Sequence, residues 1–192
     1  TDGQVLTSTG AGSPPAFEAL PASGGVLEAM QFHMTTTFQG DAAPITNWAE
    51  TTQGAANSLK TANSAGGVTE SSGKFSFPST GKWLITFNHQ HHNNDDNERV
   101  ADTLIRLTPD NGSSWITVAQ GGGGRTKVQQ GTDNTLGQVT IDFLADITSI
   151  TGGTTHKVRF ATSFSSSNTL TAGNNSNNFR ETSVSFMKIG ET

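Results

Sequence analysis

The sequence predicts an all-β fold, a β-sandwich or jelly roll of about eight to ten antiparallel strands. First, the 192-residue chain is polar but weakly charged, with 32% hydrophobic and 14% charged residues, whereas disordered chains of low hydrophobicity carry much more charge. Second, apolar and polar residues alternate repeatedly with the period of a half-buried strand. Third, loops rich in Gly, Asn and Ser separate these segments. A chain of this length can bury a substantial core.

The alternating segments follow one another from residue 26 onward, and Asn111-Gly112 between two of them predicts a tight hairpin turn. The stretch 47–67 is rich in Ala but has no apolar stripe, and we predict a long loop there. The apolar positions of the predicted strands are Met30, Phe32, Met34 and Phe38; Phe75 and Phe77; Trp83, Ile85 and Phe87; 104–107; 115–118; Val139, Ile141 and Phe143; Val158, Phe160 and Phe164; and 184–189.

Residues 1–25 differ from the rest because Gly, Pro and Ser interrupt them and few apolar residues remain to form a core. We predict a collar or linker at 1–25 and a head domain at 26–192. Phe17 and Leu20 are expected to pack on a neighbouring subunit or on a preceding shaft. Since the sequence starts at Thr1 rather than Met, we expect it to derive from a longer chain.

Charge and cysteine content exclude several classes of function. No cysteine is present, so neither disulfides nor a thiolate nucleophile is available. The net charge of −5, without a basic stripe in the sequence, predicts no nucleic-acid partner. No apolar run approaches the roughly 18 residues of a membrane helix, so we predict no membrane insertion. Aromatic residues such as Trp83 and Phe87 exceed what one small sandwich should cover, which favours a homotrimer.

The stretch GKFSFPSTGKWLITFNHQ, residues 73–90, resembles the jelly rolls of the tumour-necrosis-factor and complement globular-head family. In that family an aromatic strand leads through a Pro-Gly turn into a second aromatic strand. The hairpin at Asn111-Gly112 and the closing strand TSVSFMKIG, residues 182–190, follow in the expected order. The resemblance covers roughly residues 26–190 and implies a jelly roll. The chain departs from the family in having no Tyr and no aromatic-Gly pattern in its closing strand.

The stretch DGQVLTSTGAGSPPAFEALP, residues 2–21, is similar to a segment that precedes the C-terminal head domain in tail-fibre proteins of bacterial viruses, especially marine ones. Together the two resemblances imply the trimeric head of a virion fibre or a related appendage. The implied location is the virion, and the implied partners are other virion proteins and a host-surface glycan or protein. The alternative is a capsid-decorating or collar protein that stabilises the particle.

Catalysis is not expected, because no nucleophile motif or metalloprotease pattern is present. A glycan hydrolase is the less favoured possibility, and its candidate carboxylates are Asp95, Asp96, Glu98, Asp102, Asp142 and Asp146. The run GGGGR at 121–125 lacks the Gly-Lys-Ser/Thr ending of a phosphate-binding loop and predicts a flexible surface loop.

Loops rich in Asn and Asp are expected to recognise the receptor, because their amides and carboxylates can hydrogen-bond sugar hydroxyls and loops carry most binding residues. The candidate receptor-binding residues are Asn93, Asn94, Asp95, Asp96, Asn174, Asn175 and Asn177.

The histidines in NHQHHNNDDNER, residues 88–99, are candidate metal ligands. Strand alternation places His89 and His91 on the same face as Trp83, Ile85 and Phe87. If this face points to a three-fold axis, His89 and His91 of three subunits could hold zinc, nickel or iron there. If the face points into the core, the histidines are residues near the strand end that bond to loop groups. No other cofactor is expected.

Overall fold

The structure, a computed structural model, describes residues 4–7, 16–19, 26, 28–53, 57–58, 67–93, 100–124, 135–164, 167–174 and 181–192. A short 3-10 helix, η1 (Gly152–Thr154), is the one helical element among them, and the rest of the regular structure is β. The strands are β1 (Gln4–Thr7), β2 (Ala16–Ala19), β3 (Glu28–Met34), β4 (Phe38–Gln39), β5 (Trp48–Glu50), β6 (Thr52–Gln53), β7 (Asn57–Ser58), β8 (Thr69–Ser71), β9 (Lys74–Ser76), β10 (Gly81–Asn93), β11 (Val100–Thr108), β12 (Ile116–Gly124), β13 (Thr135–Ile147), β14 (Lys157–Phe164), β15 (Thr169–Thr171) and β16 (Ser183–Gly190).

Two antiparallel sheets form the sandwich. The seven-stranded sheet has the order β4-β15-β10-β16-β3-β5, and β13 pairs with the other side of β10. The five-stranded sheet has the order β12-β11-β14-β9-β8. The all-β jelly-roll prediction is confirmed. The first predicted strand is divided in two, because Met30 and Met34 lie in β3 whereas Phe38 lies in β4. Strands outside the eight predicted segments, such as β8 and β15, are only three residues long and leave little periodic signal in the sequence.

Two further ladders are short. The pair β1-β2 lies within the predicted collar, where Gln4 is opposite Ala19, and β6 pairs with β7. Neither ladder joins the two main sheets. The division at residue 25 stays a prediction.

Aromatic rings from both sheets fill the core. Phe75 and Phe160 of the five-stranded sheet meet Phe87 and Phe186 of the seven-stranded sheet, with ring centroids 4.9 Å apart for Phe87–Phe160 and 5.2 Å for Phe75–Phe186. All four rings are fully buried, and Trp83 is buried with them. The prediction that Trp83 and Phe87 need cover from other subunits is therefore wrong, because the chain's own second sheet covers them.

The predicted long loop at 47–67 contains strands instead. β5 pairs with β3, so that Trp48 is opposite Met34, and the Trp48 ring is buried against Phe75. The Trp48 indole Nε1 donates a hydrogen bond to the Ile45 carbonyl at 2.9 Å. A three-residue strand shows no periodicity that a sequence pattern can detect, so tertiary packing alone fixes it.

The glycine run 121–124 is also a strand, the end of β12, and not the predicted surface loop. An ideal Cβ on Gly123 would lie 2.3 Å from Val139 Cγ2 and 2.9 Å from His91 Cε1. Side chains at this position would clash, because Val139 and His91 of the other sheet approach the β12 backbone closely. The glycines therefore let the two sheets meet at this corner of the sandwich.

The hairpin between β11 and β12 is confirmed at Asn111-Gly112. Both residues have positive φ, 59° and 97°, and the Ser113 amide donates to the Asp110 carbonyl at 3.2 Å, as in a type I′ turn. The Asp110 carboxylate accepts hydrogen bonds from the Ser114 hydroxyl at 2.6 Å and from the Thr108 hydroxyl. These bonds, the Ser114 hydroxyl first, lower the pKa of Asp110 to about 2.

Strand register defines two ends of the sandwich. At the "Asn93 end", Asn93 is opposite both Thr135 and Thr169, and Val100 is opposite Gly124. A hydrogen bond between His89 and Thr103 shows that these ends of the two sheets lie together. At the opposite "Glu28 end", strand β3 starts, Lys82 is opposite Gly190, and Thr108 is opposite Lys157.

Candidate functional site

Two of the seven candidate receptor-binding residues fall within the described structure. The backbone of Asn93 ends β10, paired with Thr135 on one side and Thr169 on the other. Asn174 is half-buried, and its backbone N–H donates to the Met34 carbonyl at 2.9 Å. The remaining candidates lie outside the described residues: Asn94, Asp95, Asp96, Asn175 and Asn177.

The strand ends that flank the candidate loops all lie at the Asn93 end. Residues 94–99 connect β10 to β11, 125–134 connect β12 to β13, and 165–166 connect β14 to β15. Residues 175–180 follow Asn174, and Asn174 lies beside Met34, the last residue of β3. Because the described residues on both sides of each segment lie at the same end of the sandwich, the structure brings the flanks of both groups of candidates to one end.

Hydrogen bonds fix the point from which residues 175–180 leave the sandwich. The Thr37 hydroxyl donates to the Gly173 carbonyl at 3.0 Å, and the Gly173 amide bonds the same hydroxyl at 3.1 Å. An ideal Cβ on Gly173 would lie 2.7 Å from Met34 Cε and from the Thr36 backbone, so this close approach requires glycine.

His89 and His91 point into the core, which decides between the two orientations that the sequence leaves open. Both side chains are fully buried within a single chain. The interpretation that they converge on a three-fold axis is therefore wrong, because a ring enclosed by its own sandwich does not reach a surface shared with other subunits.

The ring of His89 bridges the two sheets. Its Nδ1 lies 2.7 Å from the Thr103 hydroxyl on β11, and its Nε2 lies 3.1 Å from the Thr171 hydroxyl on β15. A neutral imidazole has one donor and one acceptor nitrogen, so one threonine accepts a hydrogen bond from the ring and the other donates. Since a hydroxyl donates to the acceptor nitrogen and the other nitrogen carries the proton, the one lone pair of the neutral ring is not available to a metal ion.

His91 lies next to His89, nearer to the Asn93 end. Its ring centroid is 5.2 Å from that of His89, and its Cε1 is the atom that would meet a side chain at Gly123. Within the described part of the chain, no group of three or more His, Cys, Asp and Glu side chains is arranged to hold a metal ion. The buried histidines and threonines are a polar layer of the core beneath the loops.

Sequence reasoning missed Thr103 and Thr171, the partners of His89. A signal exists for Thr103, which shares the inward face of β11 with the buried Ile105. No sequence signal identifies Thr171, because β15 has only three residues.

The candidate hydrolase carboxylates in the described residues do not form a catalytic pair. Asp102 lies on the five-stranded sheet, whereas Asp142 and Asp146 lie on the seven-stranded one. Asp142 and Asp146 are four residues apart along β13, which is about 13 Å in a strand. Asp146 also forms an ion pair with Lys82 at 2.9 Å. Asp95, Asp96 and Glu98 lie outside the described residues.

The arrangement of strands defines the fold class, a two-sheet antiparallel jelly roll with a fold like that of tumour-necrosis-factor structures. Among solved structures, the chain is similar to the Eiger TNF of S. frugiperda, with a TM-score of 0.57 and 12% identity over 87% of this chain and 95% of that one. It is also similar to murine APRIL, with a TM-score of 0.50 and 9% identity over 84% of this chain and 98% of that one.

A weaker match is the PRD1 vertex protein P5, with a TM-score of 0.44 and 16% identity over 87% of this chain and all of that one. No family model and no curated protein sequence matches the chain. The likenesses to Eiger TNF and APRIL show the fold alone. Among the described residues, no helix is both long and apolar enough to cross a membrane.

Proposed function

We propose that this chain is the head domain of a virion appendage of a bacterial virus, and that it binds a host-surface receptor through the loops at the Asn93 end. The observation that carries the proposal is the separation of the two ends. The chain enters β3 at the Glu28 end, and the segments that contain Asn94–Asp96 and Asn175–Asn177 leave from the opposite end. An attached head would therefore present these segments away from its attachment.

The core beneath the loops supports a binding role. His89 links β10 to β11 and β15 through Thr103 and Thr171, and the Thr37–Gly173 bonds hold the segment after β15. Binding loops on a rigid scaffold lose less conformational entropy when they bind, because their ends are already fixed.

The proposal includes a homotrimer. On the outward face of the seven-stranded sheet, Leu84 of β10 lies directly between Leu144 of β13 and Met187 of β16, with Ala29 beyond Met187. Leu144 is 55% exposed in the single chain. This apolar cluster near the Glu28 end is the surface through which we expect subunits to associate, instead of the buried aromatic face. Light scattering that shows a stable monomer at micromolar concentration would contradict a trimer.

Receptor binding is tested with labelled protein on cells of the host bacterium. We expect binding that competes with infection, and loss of both when residues 93–96 or 174–177 are replaced by Gly and Ser. The matched control replaces Thr151–Thr155 by the same residues, because this exposed turn lies at the Glu28 end. Binding by the loop variants equal to that of the control would refute the assignment.

A capsid-decorating protein would behave differently in the same experiments. The purified chain would then fail to bind cells but would cosediment with particles that lack it. A further incubation of the protein with host polysaccharide separates an appendage head from a glycan hydrolase. Only a hydrolase would release reducing ends from the polysaccharide.

A further inference from the structure

Three basic side chains lie in a row on the outward face of the five-stranded sheet. Arg106 of β11 is directly opposite Arg159 of β14, and Arg159 is directly opposite Lys74 of β9. Their sequence neighbours Phe160 and Phe75 are fully buried on the inward face, so the basic side chains point away from the core. Adjacent strands are about 4.8 Å apart, which makes this "basic row" about 10 Å long.

A fourth cation extends the basic row in the perpendicular direction. Lys157 is two residues before Arg159 on β14, on the same face and about 7 Å along the strand. Four of the eleven Lys and Arg residues are thus concentrated on one surface, although the chain has a net charge of −5.

The charges of the basic row are not neutralised within the described part of the chain. Like charges directly opposite each other in a sheet are destabilising. Burial, and then the positive charge of Arg106, lower the pKa of Arg159. The ion pairs seen among the described residues, such as Lys82–Asp146 and Lys188–Glu191, do not include any side chain of the row.

The guanidinium groups are held in place and retain donors that form no hydrogen bond. The guanidinium carbon of Arg159 lies over the Trp115 ring, 4.4 Å from the ring centroid, which is a cation–π contact. The Nε atoms of Arg159 and Arg106 are buried and have no hydrogen-bond partner among the described residues. The basic row thus presents positive charge that an oxyanion from outside the chain could neutralise.

We propose that the basic row binds the oxyanion groups of an acidic polysaccharide. Guanidinium groups match carboxylate, sulfate and phosphate oxygens in geometry and charge. A row of about 10 Å spans more than one charged group, which favours a polymer over a single ion. Single-stranded nucleic acid is less suited, because it needs aromatic faces for base stacking and Arg159 covers a face of Trp115.

The basic row goes beyond the proposed receptor-binding role. Lys157 is the first residue of β14 and is opposite Thr108, so the row is close to the Glu28 end and away from the candidate loops. Either proposal can therefore fail without the other. The sequence shows no basic stripe because residues 74, 106 and 159 come from three distant segments and meet only through strand register.

Binding is measured on immobilised polygalacturonate and dextran sulfate at low ionic strength, with neutral dextran and single-stranded DNA as the comparison ligands. The variants are Arg106→Gln/Arg159→Gln and Lys74→Gln. Lys82→Gln is the matched control, since Lys74 and Lys82 are both exposed strand lysines and the charge change is the same. We expect the double variant to weaken polysaccharide binding about tenfold or more. Lys74→Gln should weaken it about twofold to fivefold, and Lys82→Gln should leave it unchanged.

Trp115 provides a second readout in the unmodified protein, because the other two tryptophans are buried in the core. Dextran sulfate should shift its emission, and added salt should reverse the shift. The double variant should melt no lower than the unmodified protein, because charge repulsion is removed. If it does not fold, the comparison of Lys74→Gln with Lys82→Gln decides alone.

Several results would overturn the proposal. These are no polysaccharide binding by the unmodified protein, equal loss in the Lys74→Gln and Lys82→Gln variants, or unchanged binding in the folded double variant. Tighter binding of single-stranded DNA than of either polysaccharide would overturn the assignment of the ligand.

Discussion

Replacing Gly123 by Ala tests whether the glycine run exists to let the two sheets approach. The new Cβ would lie 2.3 Å from Val139 Cγ2 and 2.9 Å from His91 Cε1, whereas carbon atoms in contact are normally about 3.5–4.0 Å apart. Val139 is β-branched and has little rotamer freedom, and the His91 ring is fully buried. Neither neighbour can move away without disturbing the core.

The expected size of the effect follows from two opposing contributions. Overpacking of a core costs about 1–3 kcal/mol. Replacing Gly by Ala stabilises by about 0.4–1 kcal/mol, because the unfolded chain loses conformational freedom. We therefore expect Gly123→Ala to lower the free energy of unfolding by about 1–2 kcal/mol, which corresponds to a fall in Tm of about 2–8 °C for a domain of this size.

The assay is urea and thermal unfolding of the variants at one protomer concentration, since association would shift the apparent stability. Gly122→Ala is the control on the same strand. Its Cβ points to the other face, and its nearest neighbour is Val100 Cγ1 at 3.2 Å, so we expect a change of at most about 0.5 kcal/mol. Adding Val139→Ala to Gly123→Ala should restore part of the loss by removing the clashing methyl group. Equal stability of Gly123→Ala and Gly122→Ala would refute the close-packing explanation.

Three further predictions concern the core, the polar layer and the hairpin. Phe160→Ala should cost about 3–5 kcal/mol in urea unfolding, because it empties a fully buried aromatic site, whereas Ile116→Ala, 58% exposed, should change stability by at most about 0.5 kcal/mol. Thr103→Val should cost about 1–3 kcal/mol because it removes the hydroxyl bonded to the buried His89 ring, and Thr103→Ser should recover part of the loss; a Thr103→Val protein of unchanged stability would show that this bond contributes little. Hydrogen bonds to the ionised carboxylate hold the pKa of Asp110 at about 2, below its ordinary 3.8, so its contribution to stability should be complete above about pH 4 and lost as the pH falls through about 2. Asp110→Asn should remove this acid-dependent part in thermal unfolding scans, and identical pH profiles of the two proteins would contradict it.

Local patterns in the sequence were sufficient for the fold class and for several elements. Alternation through Trp83, Ile85 and Phe87 identified β10, because a strand half-buried in a sandwich exposes every second side chain. Asn111-Gly112 identified the hairpin, because few other residue pairs adopt positive φ at two successive positions.

The roles of the candidate site residues depended on contacts between distant segments, which no local sequence pattern contains. Alternation placed His89 and His91 on the Trp83 face, but only the opposing sheet, with Thr103 on β11, decided that this face lies inside. The receptor-binding candidates were chosen by composition, and strand order then brought the flanks of both groups to one end.

What the sequence by itself determined was the set of strands and the sharp turn between two of them, since both depend on residues close together in the chain. The tertiary structure decided which positions are crowded and which charges are neighbours. Gly123 needs to be glycine because Val139 of another sheet packs on it, and Arg106 meets Arg159 because β11 and β14 pair in one register. Register depends on the burial of entire sheet faces, so these contacts between distant segments emerge only when the chain is folded.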